Sequence, residues 1–282
     1  MNDEMHKRRA AELQELRESM KGVAHVIAVA SGKGGVGKST IAVNLALALN
    51  KLGAKAGLLD ADAYGPSAPQ LLGIQQTPQV TEEKKMMPLE KHGIKIMSLG
   101  FLVQQDEAVI WRGPMVHSLI TQFLRDVAWG ELDYLVVDLP PGTGDAQLTL
   151  TQSIPLAGAV VITTPQVVAR NIAGKVISLF RKMNVPVLGV VENMSYFVCD
   201  QCGKEHDIFD RGGGESMATR LGVPFLGAIP LDPAMRKGDD AGEPIVVTLP
   251  DSRVAQEFVK VAQKLKEQLS STKPADSESG AE

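Results

Sequence analysis

The run Gly32-Lys33-Gly34-Gly35-Val36-Gly37-Lys38-Ser39-Thr40 satisfies G-x-x-x-x-G-K-[ST], a pattern that cradles phosphate. Its glycines let successive backbone N–H groups turn inward around anionic oxygens. In this pattern Lys38 meets the β- and γ-phosphates and the Ser39 hydroxyl meets Mg²⁺. Two acidic segments extend the same chemistry. Leu58-Leu59-Asp60-Ala61-Asp62 closes an apolar run with two carboxylates, placed to orient water or the metal's shell. A single acid there would read equally well as a helix cap; the pair, followed by Ala63-Tyr64-Gly65-Pro66-Ser67, does not. Leu135-Val136-Val137 delivers Asp138 towards Mg²⁺ through a bound water, because Mg²⁺ sheds its waters reluctantly. The loop Asp138-Leu139-Pro140-Pro141-Gly142-Thr143-Gly144-Asp145 is stiff at its proline end and free at its glycines. Such a loop suits the coupling of a γ-phosphate to a distant site, and the cysteine segment is the expected receiver.

The chain holds two cysteines, Cys199 and Cys202, in one C-x₂-C. A reducing cytosol disfavours a structural disulfide, and a redox pair would want Cys199 opening a helix, whereas Gly203 reads as a turn. Soft-metal ligation remains, with two thiolates facing one ion. Zinc and iron–sulfur clusters usually take four protein ligands. Either His206 supplies a third ligand, giving a Cys₂His zinc site with an open position, or two chains meet and contribute four cysteines.

The elements that must position these residues follow from periodicity. Val26–Ala30, Ala56–Leu59, Ile94–Leu99, Tyr134–Val137, Ala159–Thr164, Val187–Val191 and Phe225–Ile229 read as buried strands. Helical spacing marks Ile41–Leu52, Val116–Val127, Ala146–Ser153, Ala169–Met183 and Ser216–Leu221. Alternation of this kind predicts an α/β fold, a doubly wound and mostly parallel sheet with helices on both faces. Ligands then bind at the carboxyl ends of the strands. Residues 1–22 read as a charged N-terminal helix, 23–269 as the nucleotide domain with its C-x₂-C loop, and 270–282 as a disordered Ser/Glu/Asp-rich tail. Gln75–Lys91 reads as a surface excursion. The stripe Val254, Phe258, Val261, Leu265 and Leu269 suits a helix docked on the sheet better than one seeking a membrane.

At 282 residues, with 44% hydrophobic and 22% charged residues, the chain has the composition of a globular enzyme large enough for a sizeable core. A net charge of −4 offers no global attraction for nucleic acid or acidic membranes. No apolar run approaches the roughly 20 residues needed to span a bilayer, and residues 1–21 lack the apolar centre of a secretory signal. A cytoplasmic location is the expectation.

With its second lysine, Lys33, the phosphate loop resembles the deviant Walker A signature of the nitrogenase iron protein, MinD, ParA and arsenite-pump ATPases. That resemblance implies a homodimer in which Lys33 reaches the phosphates held by the other subunit. It implies that Asp62 handles the attacking water and that Asn193 contacts a purine base. Glu192 beside it and the Ile229-Pro230-Leu231-Asp232-Pro233 loop sit where this fold class reads that base. Together with Asp60–Ser67, Trp111-Arg112-Gly113-Pro114-Met115, the Asp138–Asp145 loop and Asn193-Met194-Ser195-Tyr196, the cysteine pair looks like the Mrp/ApbC family. Its members are ATP-dependent iron–sulfur cluster carriers, and many carry a small N-terminal domain where this sequence shows the charged helix. The family implies ATP, Mg²⁺ and a labile [4Fe–4S] cluster bridging two subunits through Cys199 and Cys202 of each, with zinc as a substitute. It implies slow ATP hydrolysis by Lys33, Lys38, Asp62 and Asp138, and apo iron–sulfur proteins as clients, with neither nucleic acid nor membrane as partner. The rivals are a MinD/ParA-like positioning ATPase that binds membrane or DNA, and a zinc-clipped dimeric ATPase.

Overall fold

The computed structural model describes residues 13–102, 113–199 and 201–271. Expectations for the start and end of the chain, and for Trp111 and Arg112, fall outside them in whole or in part. The sheet is built from β1 (Val23–Ser31), β2 (Ala56–Asp60), β3 (Leu89–Lys91), β4 (Ile94–Ser98), β5 (Leu132–Asp138), β6 (Gly158–Thr163), β7 (Val187–Glu192) and β10 (Phe225–Ala228). Its order is β10-β7-β6-β1-β5-β2-β4-β3, parallel throughout except for the β3–β4 pair at one edge. A separate hairpin pairs β8 (Phe197–Val198) with β9 (Glu205–His206).

The strands are apolar at nearly every position because both faces are covered. Along β1, Ile27 and Val29 enter one core while Val26, Ala28 and Ala30 enter the other, the two-residue alternation of an extended chain. The first layer holds α1 (Lys38–Lys51), α2 (Ala68–Leu71), α7 (Pro233–Ala241), α8 (Ile245–Thr248) and α9 (Arg253–Ser271). Against the opposite face lie α3 (Gly113–Asp126), α4 (Asp145–Ser153), α5 (Val167–Lys182) and α6 (Gly213–Leu221). The helical stretch at 13–19 joins that second layer, with Leu16 and Met20 buried in it. The expected stripe of α9 is buried against β10 and α1 at Val254, Phe258, Val261, Leu265 and Leu269. None of the described helices is long and apolar enough to cross a membrane.

Three short helices, α2, α7 and α8, and the strands β3, β8 and β9 lie outside the periodic signals of the sequence. The expected excursion at 75–91 instead ends in β3, and Met86 bridges both Val80 and Val127. Helix α9 continues two residues past Leu269, into the segment read as tail.

Chain direction reverses at β1. From there the chain runs outward to β2 and β4, returns to insert β5 between β1 and β2, and then continues to β6, β7 and β10 on the other side. Such a reversal opens a crevice at the carboxyl edge of the sheet. The phosphate loop lies in it.

Candidate functional site

β1 ends at Ser31, whose Oγ donates at 3.0 Å to the Lys33 carbonyl in the loop that follows. Gly35 and Gly37 have φ of 76° and 78°, a left-handed backbone that costs a side chain and suits glycine. A Cβ on Gly37 would overlap the Asn193 amide, so glycine also permits that close approach. Gly37 caps α1, whose first residue is Lys38, so the positive end of that helix faces the loop. An open cleft of about 330 Å³ is lined by Lys33, Gly34, Gly35, Gly37, Lys38, Ser39, Thr40 and Asp62, among others.

Sheet register brings the acids to this loop. Asp60 and Asp138 are direct partners on β2 and β5, and Val29 of β1 pairs with Asp138. Lys38 Nζ lies 2.6 Å from Asp138 Oδ1 and 3.5 Å from Asp62 Oδ2. Lys38 Nζ also donates to the Ser39 hydroxyl at 3.4 Å. Burial pushes the Asp138 carboxyl up from its ordinary range, against the pull of Lys38. The lysine thus neutralises acids that would otherwise stand uncompensated in a buried site.

Asp60 has a different job. Its Oδ2 accepts from the Ser67 and Ala68 amides and the Ser98 hydroxyl, each at 3.0 Å, and its Oδ1 accepts from the Asp62 amide. One buried carboxylate therefore shapes the whole turn that presents Asp62. Burial, then the charge of Asp138, pushes its pKa up to about 7.

The oxygen donors of Ser39 and Asp138, with a surplus of carboxylate over ammonium charge, fit Mg²⁺. Asn193 fits the nucleotide as well. Its Nδ2 donates to the Val36 carbonyl at 2.9 Å, and its buried Oδ1 has no partner, leaving an acceptor for an incoming donor. Glu192 departs from the expected pairing with it. Its carboxylate accepts from Ser195 Oγ at 2.7 Å, the Gly212 amide at 3.0 Å and the Gly214 amide. With three donors on it, Glu192 is engaged in the protein rather than with a base. The Asp232 carboxylate caps α7 through the Ala234 amide. A contact with no sequence signal joins the two ends of the site: Thr40 Oγ1 donates to Asp239 Oδ2 at 2.8 Å.

Cys199 and Cys202 lie at the tip of the β8–β9 hairpin, half-buried and exposed respectively, and form no disulfide. The Cys199 amide donates to Lys204 O and its carbonyl accepts from the Gly203 amide, closing the turn at Gly203, φ 70°. Cys199 therefore does not open a helix, the placement a redox pair would want. His206 pairs with Phe197 across the hairpin. Among the described residues no three His, Cys, Asp or Glu side chains gather to hold a metal, so His206 does not complete the expected Cys₂His set. The flank of the hairpin is clamped. Glu205 accepts from Arg211 at 2.6 Å and from Arg253, and both guanidinium groups lie over the Tyr196 ring, 4.0 and 5.0 Å from its centre. The two arginines hold the Glu205 carboxyl below its ordinary range.

Known proteins resemble this chain in sequence and fold. The family model for ParA, described as NUBPL iron-transfer P-loop NTPase, matches residues 22–266. The iron-sulfur cluster carrier protein of Aquifex aeolicus is 51% identical over 257 residues, covering 90% of this chain and 71% of that protein. Its namesake in Methanocaldococcus jannaschii is 49% identical over 262 residues, covering 92% and 90%. A nucleotide-binding protein of Archaeoglobus fulgidus, solved in complex with ADP, superposes with a TM-score of 0.73 at 40% identity, over 82% of this chain and 91% of that one. With a phosphate loop, its acids and the intervening fold all inside the matched span, the chain belongs to the NUBPL iron-transfer P-loop NTPase family.

Proposed function

We propose that this protein is an iron–sulfur cluster carrier that binds and hydrolyses Mg·ATP. Its cargo is a [4Fe–4S] cluster held between two copies of the chain and passed to apo-proteins. One observation carries the reading: a C-x₂-C hairpin with an exposed thiol, lacking a third ligand among the described residues, is rooted next to Asn193 at the nucleotide loop. Two thiolates from each of two chains make the usual four ligands of such a cluster. The names of the two carrier relatives support the same cargo.

The nucleotide chemistry follows from the lysine and its acids. Phosphoryl transfer asks the protein for positioning and charge neutralisation rather than covalent chemistry. Incoming phosphates draw Lys38 off Asp138 and Asp62, and the glycine loop's amides take the remaining oxygens. Asp62, so released, orients a water against the γ-phosphorus and receives its proton as the β–γ bond breaks and ADP leaves. Mg²⁺, held by the Ser39 hydroxyl and, through water, by Asp138, would neutralise the charge that develops on the phosphates. Lys33 lines the same cleft and is the residue expected to reach the phosphates held by a second copy.

Anaerobic reconstitution with iron and sulfide, followed by Mössbauer spectroscopy and light scattering, tests the reading. The wild type should hold one cluster per two chains. Cys199→Ala should lose it while ATP affinity changes less than about twofold. Equal iron and sulfide in that variant, or zinc alone in anaerobically purified protein, would refute the assignment.

A further inference from the structure

The cysteine segment is an excursion that leaves the body of the protein at Ser195 and rejoins it at Gly212. Both roots bind one atom. Glu192 Oε1 accepts from Ser195 Oγ at 2.7 Å and from the Gly212 amide at 3.0 Å, while Oε2 accepts from the Gly214 amide at the start of α6. A carboxylate at that helix N-terminus is favoured by the helix dipole as well as by its hydrogen bonds. Glu192 is fully buried, so the closure is dry, and breaking it strands several polar groups at once. Little slack remains around it. A Cβ on Gly214 would crowd the Glu192 side chain itself.

Glu192 is also the last residue of β7, and the next residue touches the nucleotide loop. The Asn193 amide group donates to Val36 O, and Asn193 N donates to Thr163 O on β6. Met194 takes a positive φ of 54°, and the Ser195 amide donates to Ile229 O on the β10 side. A displacement of Val36 or Gly37 by bound phosphate therefore reaches the roots of the cysteine excursion within three residues of tightly bonded chain. The loop after Asp138, the expected messenger, donates backbone N–H groups to Val29 and Ser31 of β1 and lines the same cleft through Pro141.

The geometry points to Glu192 as a positioning residue: by tying both roots of residues 196–211 to the strand end that bears Asn193, it makes the placement of Cys199 and Cys202 depend on nucleotide occupancy. This rests on the proposed role of the two cysteines. The carboxylate neither touches the cargo nor reacts. With the Leu231 and Arg253 contacts on the hairpin itself, it helps set where the thiolates stand, and by holding both roots it converts a shift at the phosphate loop into a shift of the whole excursion rather than of one root. Coupling of this kind needs an element that both sites bias, and the tied excursion is that element.

The test reads a ratio. In the reconstituted full-length protein, cluster loss to a ferrous chelator is timed without nucleotide and with saturating Mg²⁺ and a slowly hydrolysed ATP analogue. Alkylation of Cys202 by iodoacetamide is timed the same way in cluster-free protein, a readout that needs no cargo. The wild type should show at least a threefold difference between the two states in each assay. Glu192→Gln, which keeps the shape but puts an amide where an acceptor is required, should bring both ratios to within about 1.5-fold of unity. Ser195→Ala removes a single arm of the closure and should give intermediate ratios, which keeps the test usable if the first variant does not fold. A structural role alone would speed both states equally and preserve the ratio; that result overturns the proposal, as does a wild type indifferent to nucleotide. Cys202→Ala separates the premise from the inference. If that variant keeps its full iron content the carrier reading fails, whereas its loss of iron beside an unchanged Glu192→Gln ratio sinks only the coupling.

Discussion

At the scale of single residues the site is a contest between one ammonium group and three buried carboxyl groups. Lys38 is shared by Asp138 and Asp62, while Asp60 is satisfied by four protein donors. Asp60 makes this balance visible to pH. Its carboxyl is pushed up to about 7, first by burial and then by Asp138, from an unfolded value of 3.8. Between those limits the folded state holds a proton that the unfolded chain has released, so stability must fall as pH rises. The contribution is complete below about pH 4 and gone once pH passes through about 7. The urea midpoint of the nucleotide-free protein should therefore drop between pH 5 and pH 8, and Asp60→Asn should flatten that part of the profile. An identical slope in the variant would assign the effect to other groups.

The decisive element is the β8–β9 hairpin, which is too small to stand alone. Two-residue strands bury little, and a two-stranded hairpin is marginal in water. Its placement comes from outside: Phe197 bridges Leu231, the Leu231 amide donates to Tyr196 O, and Glu205 is gripped by two arginines stacked on Tyr196. Each of those ion pairs is half-exposed and screened by water, so neither adds much to global stability. Their joint effect is to hold one flank of a turn, not to stabilise the fold. Glu205→Gln should leave the melting temperature within about 2 °C of the wild type. It should nevertheless speed tryptic cleavage after Lys204 and Arg211 by roughly two- to fivefold, as local opening becomes cheaper. Unchanged cleavage would show that the bridge constrains nothing.

For the whole molecule, the open cleft and the paired thiols both look outward from the same edge of the sheet. An open phosphate site invites completion by a second copy, and the second lysine of the loop, Lys33, is the residue to do it. Mg²⁺ with a slowly hydrolysed ATP analogue should double the mass measured by light scattering, and Lys33→Ala should shift that transition to at least tenfold higher protein concentration. A wild type that stays monomeric under every nucleotide condition would defeat the shared-cluster reading and leave a one-chain carrier to be explained.

The phosphate loop, the acids Asp60, Asp62 and Asp138, the cysteine pair and every long strand and helix were legible in the linear chain. Each depends on local rules: glycines where φ is positive, apolar runs where both faces are covered, and periodicity where one face is covered. The four-residue helices α2 and α8 are too short for a period, α7 buries only Met235 and so shows no apolar stripe, and β3, β8 and β9 exist only through their partners. Tertiary structure alone decided the rest. That Glu192 accepts from Ser195, Gly212 and Gly214, that Asp239 meets Thr40 from 199 residues away, and that His206 joins no metal set among the described residues all depend on where distant backbone arrives. A buried carboxylate takes whichever donors the folded chain brings within reach, and no spacing along the chain records them.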